Sequence, residues 1–142
     1  MTDAEELLER VDGIVHEDTQ LHEAELDLTV AEIHDIDRPG EIDFGGDGLE
    51  AAVRSPHEKN LRNPDDDYAW WELGAGTYLV EYNERLASEQ PLVCQPRSEL
   101  LERGGSHPTV FVRELGPIPL SVPPAGLDLK ENARVSTLLA PE

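Results

Sequence analysis

The apolar runs of this chain are short, rich in β-branched residues and closed by turn formers, and that pattern constrains its fold more than any other. "TYLVEYNE" alternates Thr77, Leu79 and Glu81 with Tyr78, Val80 and Tyr82, which is the two-residue period of a strand. "TVFVREL", "IPLSV" and "ARVSTLL" follow as short runs set between glycines and prolines. Earlier, "AELDLTVAEIHDI" sets Leu26, Leu28 and Val30 against Asp27, Thr29 and Ala31, the pattern of a half-buried strand. No helices of roughly 10 to 15 residues alternate with these strands, as a parallel sheet would need. The expected fold is therefore mainly β, an antiparallel sandwich or jelly-roll-like barrel. One short helix is expected at the start, where Thr2 and Glu5 have the spacing of a capping box and Leu7, Leu8 and Val11 share a face up to Gly13.

A chain of 142 residues is the size of one domain, 1–142, and buries a real core. Within it, residues 38–67, with "RPGEIDFGGDGLEAA" and "NPDDD", read as a mobile acidic excursion because turn formers and carboxylates dominate. The 31 acidic and 11 basic residues sum to −20, which repels the phosphates of nucleic acid and of anionic membranes, so neither is an expected partner. Only Lys59 and Lys130 are lysines. An acidic, lysine-poor surface suits a halophilic protein in a cytoplasm of high salt, where charge is screened within about 3 Å at 1 M. The first 71 residues hold 21 of the acidic side chains against 5 basic ones, so an anionic ligand is better tolerated in the second half. Cys94 is a single thiol in the apolar "PLVCQP", which reads as a small buried hydrophobe. "MTDAEELLER" lacks the basic and apolar regions of a signal peptide, and the expected location is cytoplasmic.

The common catalytic signatures are missing. His16, His22, His34, His57 and His107 are scattered with no helical ligand spacing, so no metal site is read from the sequence. Neither Ser98 nor Ser121 sits in a nucleophile elbow or a triad order, and neither a P-loop nor a GxGxxG occurs. "GAGTY" precedes a strand and reads as a tight turn. The stretch "PRSELLERGG", Pro96 to Gly105, does suggest chemistry: an Arg-Ser pair leaves a strand and enters a short helical turn, the form of an anion-binding corner.

Three segments, in order, resemble the trimeric β-fold family of dCTP deaminases and dUTPases. "TQLHEAELDLTV" is similar to its early Asp-Leu strand, "WWELGAGTYLVEYNERL" running into "LVCQPRSELLERGG" to its turn, strand and Arg-Ser phosphate corner, and "PPAGLDLKENARVSTLL" to its closing strand. The resemblance implies a dUTPase-like fold, a homotrimer, and a deoxypyrimidine triphosphate bound with Mg2+ at a site shared between subunits. The ligand is then either deaminated or hydrolysed at the α–β phosphate bond. Carried onto this chain, Arg97 and Ser98 hold phosphate, with Arg103 and Arg134 as further phosphate-binding residues. An intersubunit salt bridge is the other reading of Arg97.

Two departures from the family pattern shape the expectations. Glu99 stands where the family's second corner serine falls, and Glu102 where its second arginine falls, with Arg103 one place further on. "GGSHPTVFVRELGPIPLSV" passes directly into a strand, without the family's Asp-Pro-Gly-type segment. Glu114 is the carboxylate near the expected position of the general base, and an exposed strand-end glutamate is its other reading. Three functional readings follow: an enzyme of deoxypyrimidine nucleotide metabolism, a non-catalytic nucleotide sensor on the same fold, and an unrelated β-sandwich adaptor.

Overall fold

The computed structural model describes residues 4–141. In chain order the elements are α1 (Ala4–Glu9), β1 (Val11–Asp12), α2 (Glu17–Gln20), β2 (Leu21–His22), β3 (Glu25–Arg38), β4 (Val53–Pro56), β5 (Trp70–Leu73), β6 (Gly76–Tyr82) and β7 (Arg85–Leu86). They continue with β8 (Leu92–Pro96), α3 (Ser98–Glu102), β9 (Val110–Val112), β10 (Ile118–Val122), β11 (Leu127–Lys130) and β12 (Arg134–Leu139). The fold is mainly β and antiparallel, as the punctuated runs require. The main sheet has the order β10-β6-β3-β12-β8-β9, with β2 and β4 also on β3, and β1-β7 and β11-β5 form two-stranded sheets beside it.

Strand β3 organises the sheet because its two halves have different neighbours. Its first half pairs with β12, Leu26 opposite Leu138, and its second half pairs with β6, His34 opposite Leu79. The register shifts between Val30 and Glu32, and this irregularity brings Ile33 inward three residues after Val30. Leu26 and Leu28 pack with Leu7, Leu92, Cys94 and Leu138, whereas Val30 and Ile33 pack with Trp71, Val80, Leu120 and Val135. The half-buried alternation expected for β3 is not what forms. Asp27 and Thr29 are 2% and 3% exposed, because both faces of this segment are covered.

The first helix is shorter than its pattern suggests. It ends at Glu9, and Val11 and Asp12 leave it to pair with Leu86 and Arg85 of β7. Thr2, the expected cap, lies outside the described residues. In the acidic excursion, β3 extends to Arg38 and pairs with β4, and Glu41 bridges Glu50 at the neck of a loop. The Asp43 carboxylate accepts from the backbone N–H groups of Gly46 and Gly48 at 2.8 Å each. Ile42 and Phe44 are exposed there.

Candidate functional site

The Arg-Ser corner forms where β8 ends against β12. Pro96 is opposite Ser136, and the backbone N–H of Arg97 donates to the Val135 carbonyl at 3.0 Å, which holds the start of α3 against the sheet. Leu100, 3% exposed, anchors the five-residue helix in the core, so Ser98 and Glu99 face outward. The glycine pair then closes the turn. Gly104 has φ +84°, which favours glycine, and a Cβ on Gly105 would come within 2.6 Å of the Leu100 side chain.

Beneath the corner lies a carboxylate that ties four elements together. Asp27 Oδ1 accepts from the Thr137 hydroxyl at 3.0 Å and faces Arg97 Nε at 3.4 Å. Its Oδ2 lies 2.9 Å from His22 Nε2 and accepts from Arg134 Nη1 at 3.1 Å. A buried carboxylate costs several kcal/mol in desolvation, which only close cations and a full set of donors offset. Asp27 has both. It thereby fixes Arg97 and Arg134 side by side, and Arg97 Nη1 also donates to the Arg134 carbonyl at 3.2 Å.

Glu99 completes the arrangement from the outside. One carboxylate oxygen lies 3.2 Å from Arg97 Nη2, and the other accepts from the Ser98 hydroxyl at 3.2 Å. Its own backbone N–H, then the Arg97 charge, hold this carboxyl below the usual carboxylate range. A cleft of ≈ 460 Å³ opens here, lined by His22, Glu25, Asp27, Arg97, Ser98 and Glu99 among others. A second, more apolar cleft of ≈ 280 Å³ lies beyond α3, lined by Trp70, Leu127, Lys130, Arg103 and Arg134, and Glu99 borders both. Arg62 stacks on Trp70 with its guanidinium carbon 3.6 Å from the ring centroid, pinned by Asp128 at 2.9 Å.

Two further polar groups are buried nearby. Glu84, 1% exposed, accepts from the Thr29 N–H at 2.8 Å, the Thr29 hydroxyl at 2.6 Å and the Gln20 amide at 2.9 Å. The second group is a chain from Tyr82 through Ser136 to His107. His107 Nδ1 donates to the Pro108 carbonyl at 2.9 Å, so in the neutral ring Nε2 accepts from Ser136 at 2.7 Å, and Ser136 accepts from the Tyr82 hydroxyl at 2.6 Å. Burial lowers the His107 pKa and raises that of Tyr82, and it pushes the Cys94 thiol up to about 11.

With that geometry in view, comparison with known proteins is informative. No protein-family model matches the chain. Over 136 residues, covering 91% of this chain and 76% of the relative, it is 34% identical to a protein of Methanosarcina acetivorans named "Probable deoxyuridine 5'-triphosphate nucleotidohydrolase". The chain belongs to the dCTP deaminase/dUTPase-like family. Proteins of the same name from Methanosarcina mazei and Methanococcoides burtonii are 33% and 29% identical, again over 91% of the chain. In fold, it is similar to the crystal structure of 2'-deoxycytidine 5'-triphosphate deaminase from Agrobacterium tumefaciens, with a TM-score of 0.57 at 16% identity over 93% of this chain. The chain spans 43% of that deaminase chain. The unrelated-adaptor reading is thereby set aside, because chance strand-and-turn similarity does not run across nine-tenths of a chain.

Within this dUTPase-like fold the sequence-nominated residues fall in different places. Arg97 and Arg134 come together around Asp27, and Ser98 stands next to Arg97 with its hydroxyl on Glu99. Arg103 lies on the other side of α3, donating to the Glu99 carbonyl at 3.0 Å and bordering the second cleft. Glu114 is exposed on the bend between β9 and β10 and is not among the residues lining either cleft. Asp27, His22 and Thr137 were not singled out by residue pattern. The available signal was an acid between Leu26 and Leu28 in the strand that carries the family likeness.

Proposed function

We propose that this chain is a cytoplasmic enzyme of deoxypyrimidine nucleotide metabolism that hydrolyses dUTP to dUMP and pyrophosphate. The observation that carries this reading is the Arg97–Ser98 corner with Arg134 drawn alongside it by Asp27. The dUTP hydrolase names of its relatives favour dUTP over dCTP, and favour an enzyme over a non-catalytic sensor. In this reading Arg97 and Ser98 bond phosphate oxygens, and Arg134 adds a second fixed positive charge, with Arg103 at the far edge. Such preset charges stabilise the negative charge that builds on the leaving pyrophosphate.

A general base must take a proton from the attacking water. Glu114 lies on the loop joining β9 and β10, the two edge strands of the main sheet, and Phe111 on β9 is exposed. Edge strands are where another subunit pairs or packs. Glu114 therefore serves the site of a neighbouring copy in a homotrimer. Light scattering is expected to give three times the 15.7 kDa chain mass. Among the described residues no group of three or more His, Cys, Asp or Glu side chains is placed to hold a metal. Magnesium enters this reading as the counter-ion of the triphosphate. No step is assigned to it.

The acidic surface is suited to a salt-rich cytoplasm, and melting temperature is expected to rise with KCl. Among the described residues no helix is long and apolar enough to cross a membrane. The deciding assay offers dUTP and dCTP separately, with magnesium at high salt, and follows pyrophosphate and ammonia independently. Pyrophosphate from dUTP is the expected result. Ammonia from dCTP would replace hydrolysis with deamination, and neither product would remove the enzymatic reading.

A further inference from the structure

Glu99 occupies the place where the reading above puts a phosphate. Each nitrogen of the Arg97 guanidinium already has an acceptor from this chain. Nε faces Asp27 at 3.4 Å, Nη1 donates to the Arg134 carbonyl at 3.2 Å, and Nη2 meets Glu99 at 3.2 Å. The Ser98 hydroxyl is likewise directed at Glu99, at 3.2 Å. Of these acceptors, Asp27 is buried in its network with a side chain 3% exposed, and the carbonyl is fixed in β12, whereas the Glu99 side chain is 51% exposed and free to swing outward. The other acid of α3 does not share the role. Glu102 is 72% exposed and pairs with Arg103 at 3.8 Å.

We propose that Glu99 is a built-in occupant of the anion seat, an autoinhibitory residue whose carboxylate takes the hydrogen bonds of Arg97 and Ser98 until a ligand phosphate displaces it. This rests on the phosphate reading of the corner. Charge supports it, because the two arginines are paired with Asp27 and Glu99, and withdrawal of Glu99 frees Arg97 Nη2 to meet a phosphate, with Glu25 the remaining exposed acid that lines the cleft. A small inorganic anion has no second handle on the protein and competes poorly against a tethered carboxylate, whose effective concentration is high. A nucleoside triphosphate also grips through its base and sugar, and that additional binding displaces Glu99. The displacement weakens both ligands by the same factor, which leaves pyrophosphate, the class of product the reaction releases, with little retained affinity while the better-gripped triphosphate still binds.

The test is calorimetric titration of inorganic pyrophosphate and of dUTP into parent, Glu99→Ser, Glu102→Gln and Arg97→Ala, at fixed salt and magnesium. Glu99→Ser removes the occupant, while Glu102→Gln removes the same charge from the same helix without touching Arg97. Glu99→Ser is expected to bind pyrophosphate and dUTP each at least about tenfold more tightly than the parent, with Glu102→Gln within about twofold of the parent. Thermal melts check that each variant is folded. Should Glu99→Ser not fold, the near-isosteric Glu99→Gln is expected to show a gain of the same sign. Equal gains from Glu99→Ser and Glu102→Gln would reduce the effect to general charge and overturn the proposal. No gain in Glu99→Ser, with dUTP binding lost in Arg97→Ala, would overturn the proposal while leaving the phosphate reading intact. Unchanged dUTP binding in Arg97→Ala would overturn both.

Discussion

Asp27 and Glu84 are both buried carboxylates, and both are bonded to groups on or beside β3, yet their partners are of opposite kinds. Asp27 meets two arginines, a histidine and a threonine hydroxyl, and it sits at the floor of a cleft. Among the described residues, Glu84 meets neutral donors, the Thr29 N–H and hydroxyl and the Gln20 amide. Gln20 in turn donates to the Asp27 carbonyl at 2.9 Å and accepts from the N–H groups of Val15 and His16, so Glu84 stitches the N-terminal segment to the sheet. Neutral donors satisfy a carboxylate without leaving charge at the surface. Paired arginines do the opposite, since their guanidinium groups continue past the carboxylate, Arg97 to this cleft and Arg134 to its apolar neighbour. The difference separates a carboxylate that holds the fold from one that also aims cations at open clefts.

That contrast breaks most visibly at Asp27. Asp27→Ala strands two partly buried guanidinium groups, and removal of one member of a buried ion pair costs about 3–5 kcal/mol. Urea unfolding is expected to show a loss of that size together with loss of dUTP binding. A variant that keeps parental stability would contradict the clamp. Glu84→Ala supplies the sharper half of the comparison. It leaves the Thr29 and Gln20 donors unsatisfied at a cost of about 1–3 kcal/mol, and the dUTP dissociation constant of the folded protein is expected to stay within a factor of about two. Weakened binding comparable to that of Asp27→Ala would erase the distinction between the two acids.

Arg97→Ala addresses mainly the ligand side. A lost charge-assisted contact of about 1.5–3 kcal/mol corresponds to a ten- to hundredfold rise in the dUTP dissociation constant. Stability is expected to fall by less than in Asp27→Ala, because Asp27 keeps Arg134, His22 and Thr137.

The smallest effect concerns His107, whose buried chain resembles the neutral design around Glu84. Its pKa is lowered from the ordinary 6.5, so the unfolded chain takes up a proton more readily than the folded one. Its contribution is full above pH 6.5 and declines as pH falls from there towards the lower folded pKa, by at most about 1.4 kcal/mol per pH unit. Unfolding of the parent minus that of His107→Gln, followed from pH 8 to pH 5, isolates this slope from the many surface acids. A difference that does not change with pH would mean that His107 titrates alike in the folded and unfolded chain, so that burial does not disfavour its charge.

Part of this contrast is legible in the amino-acid sequence. The Gly/Pro-punctuated runs dictate short antiparallel strands, because a period of two with frequent breaks has no other way to bury its apolar face. The Arg97–Ser98 corner was equally visible, since strand, turn and glycine pair are contiguous from Pro96 to Gly105. The interior of β3 was not. Alternation predicted an outward Asp27 and Thr29, but periodicity states only which side chains share a face, and α2, β2 and β12 decide whether that face meets water.

Composition, strand period and the local corner therefore belonged to the amino-acid sequence by itself. Each depends on neighbours along the chain or on summed charge. The tertiary structure decided which charges meet: Asp27 reaches Arg134 across 107 positions of sequence and Thr137 across 110. It also decided that Glu99 folds back onto Arg97 and Ser98, while Glu114 stands exposed on a bend outside both clefts. Such pairings are set by strand register and by the cost of leaving a buried charge unpaired, and neither is a property of any local run of residues.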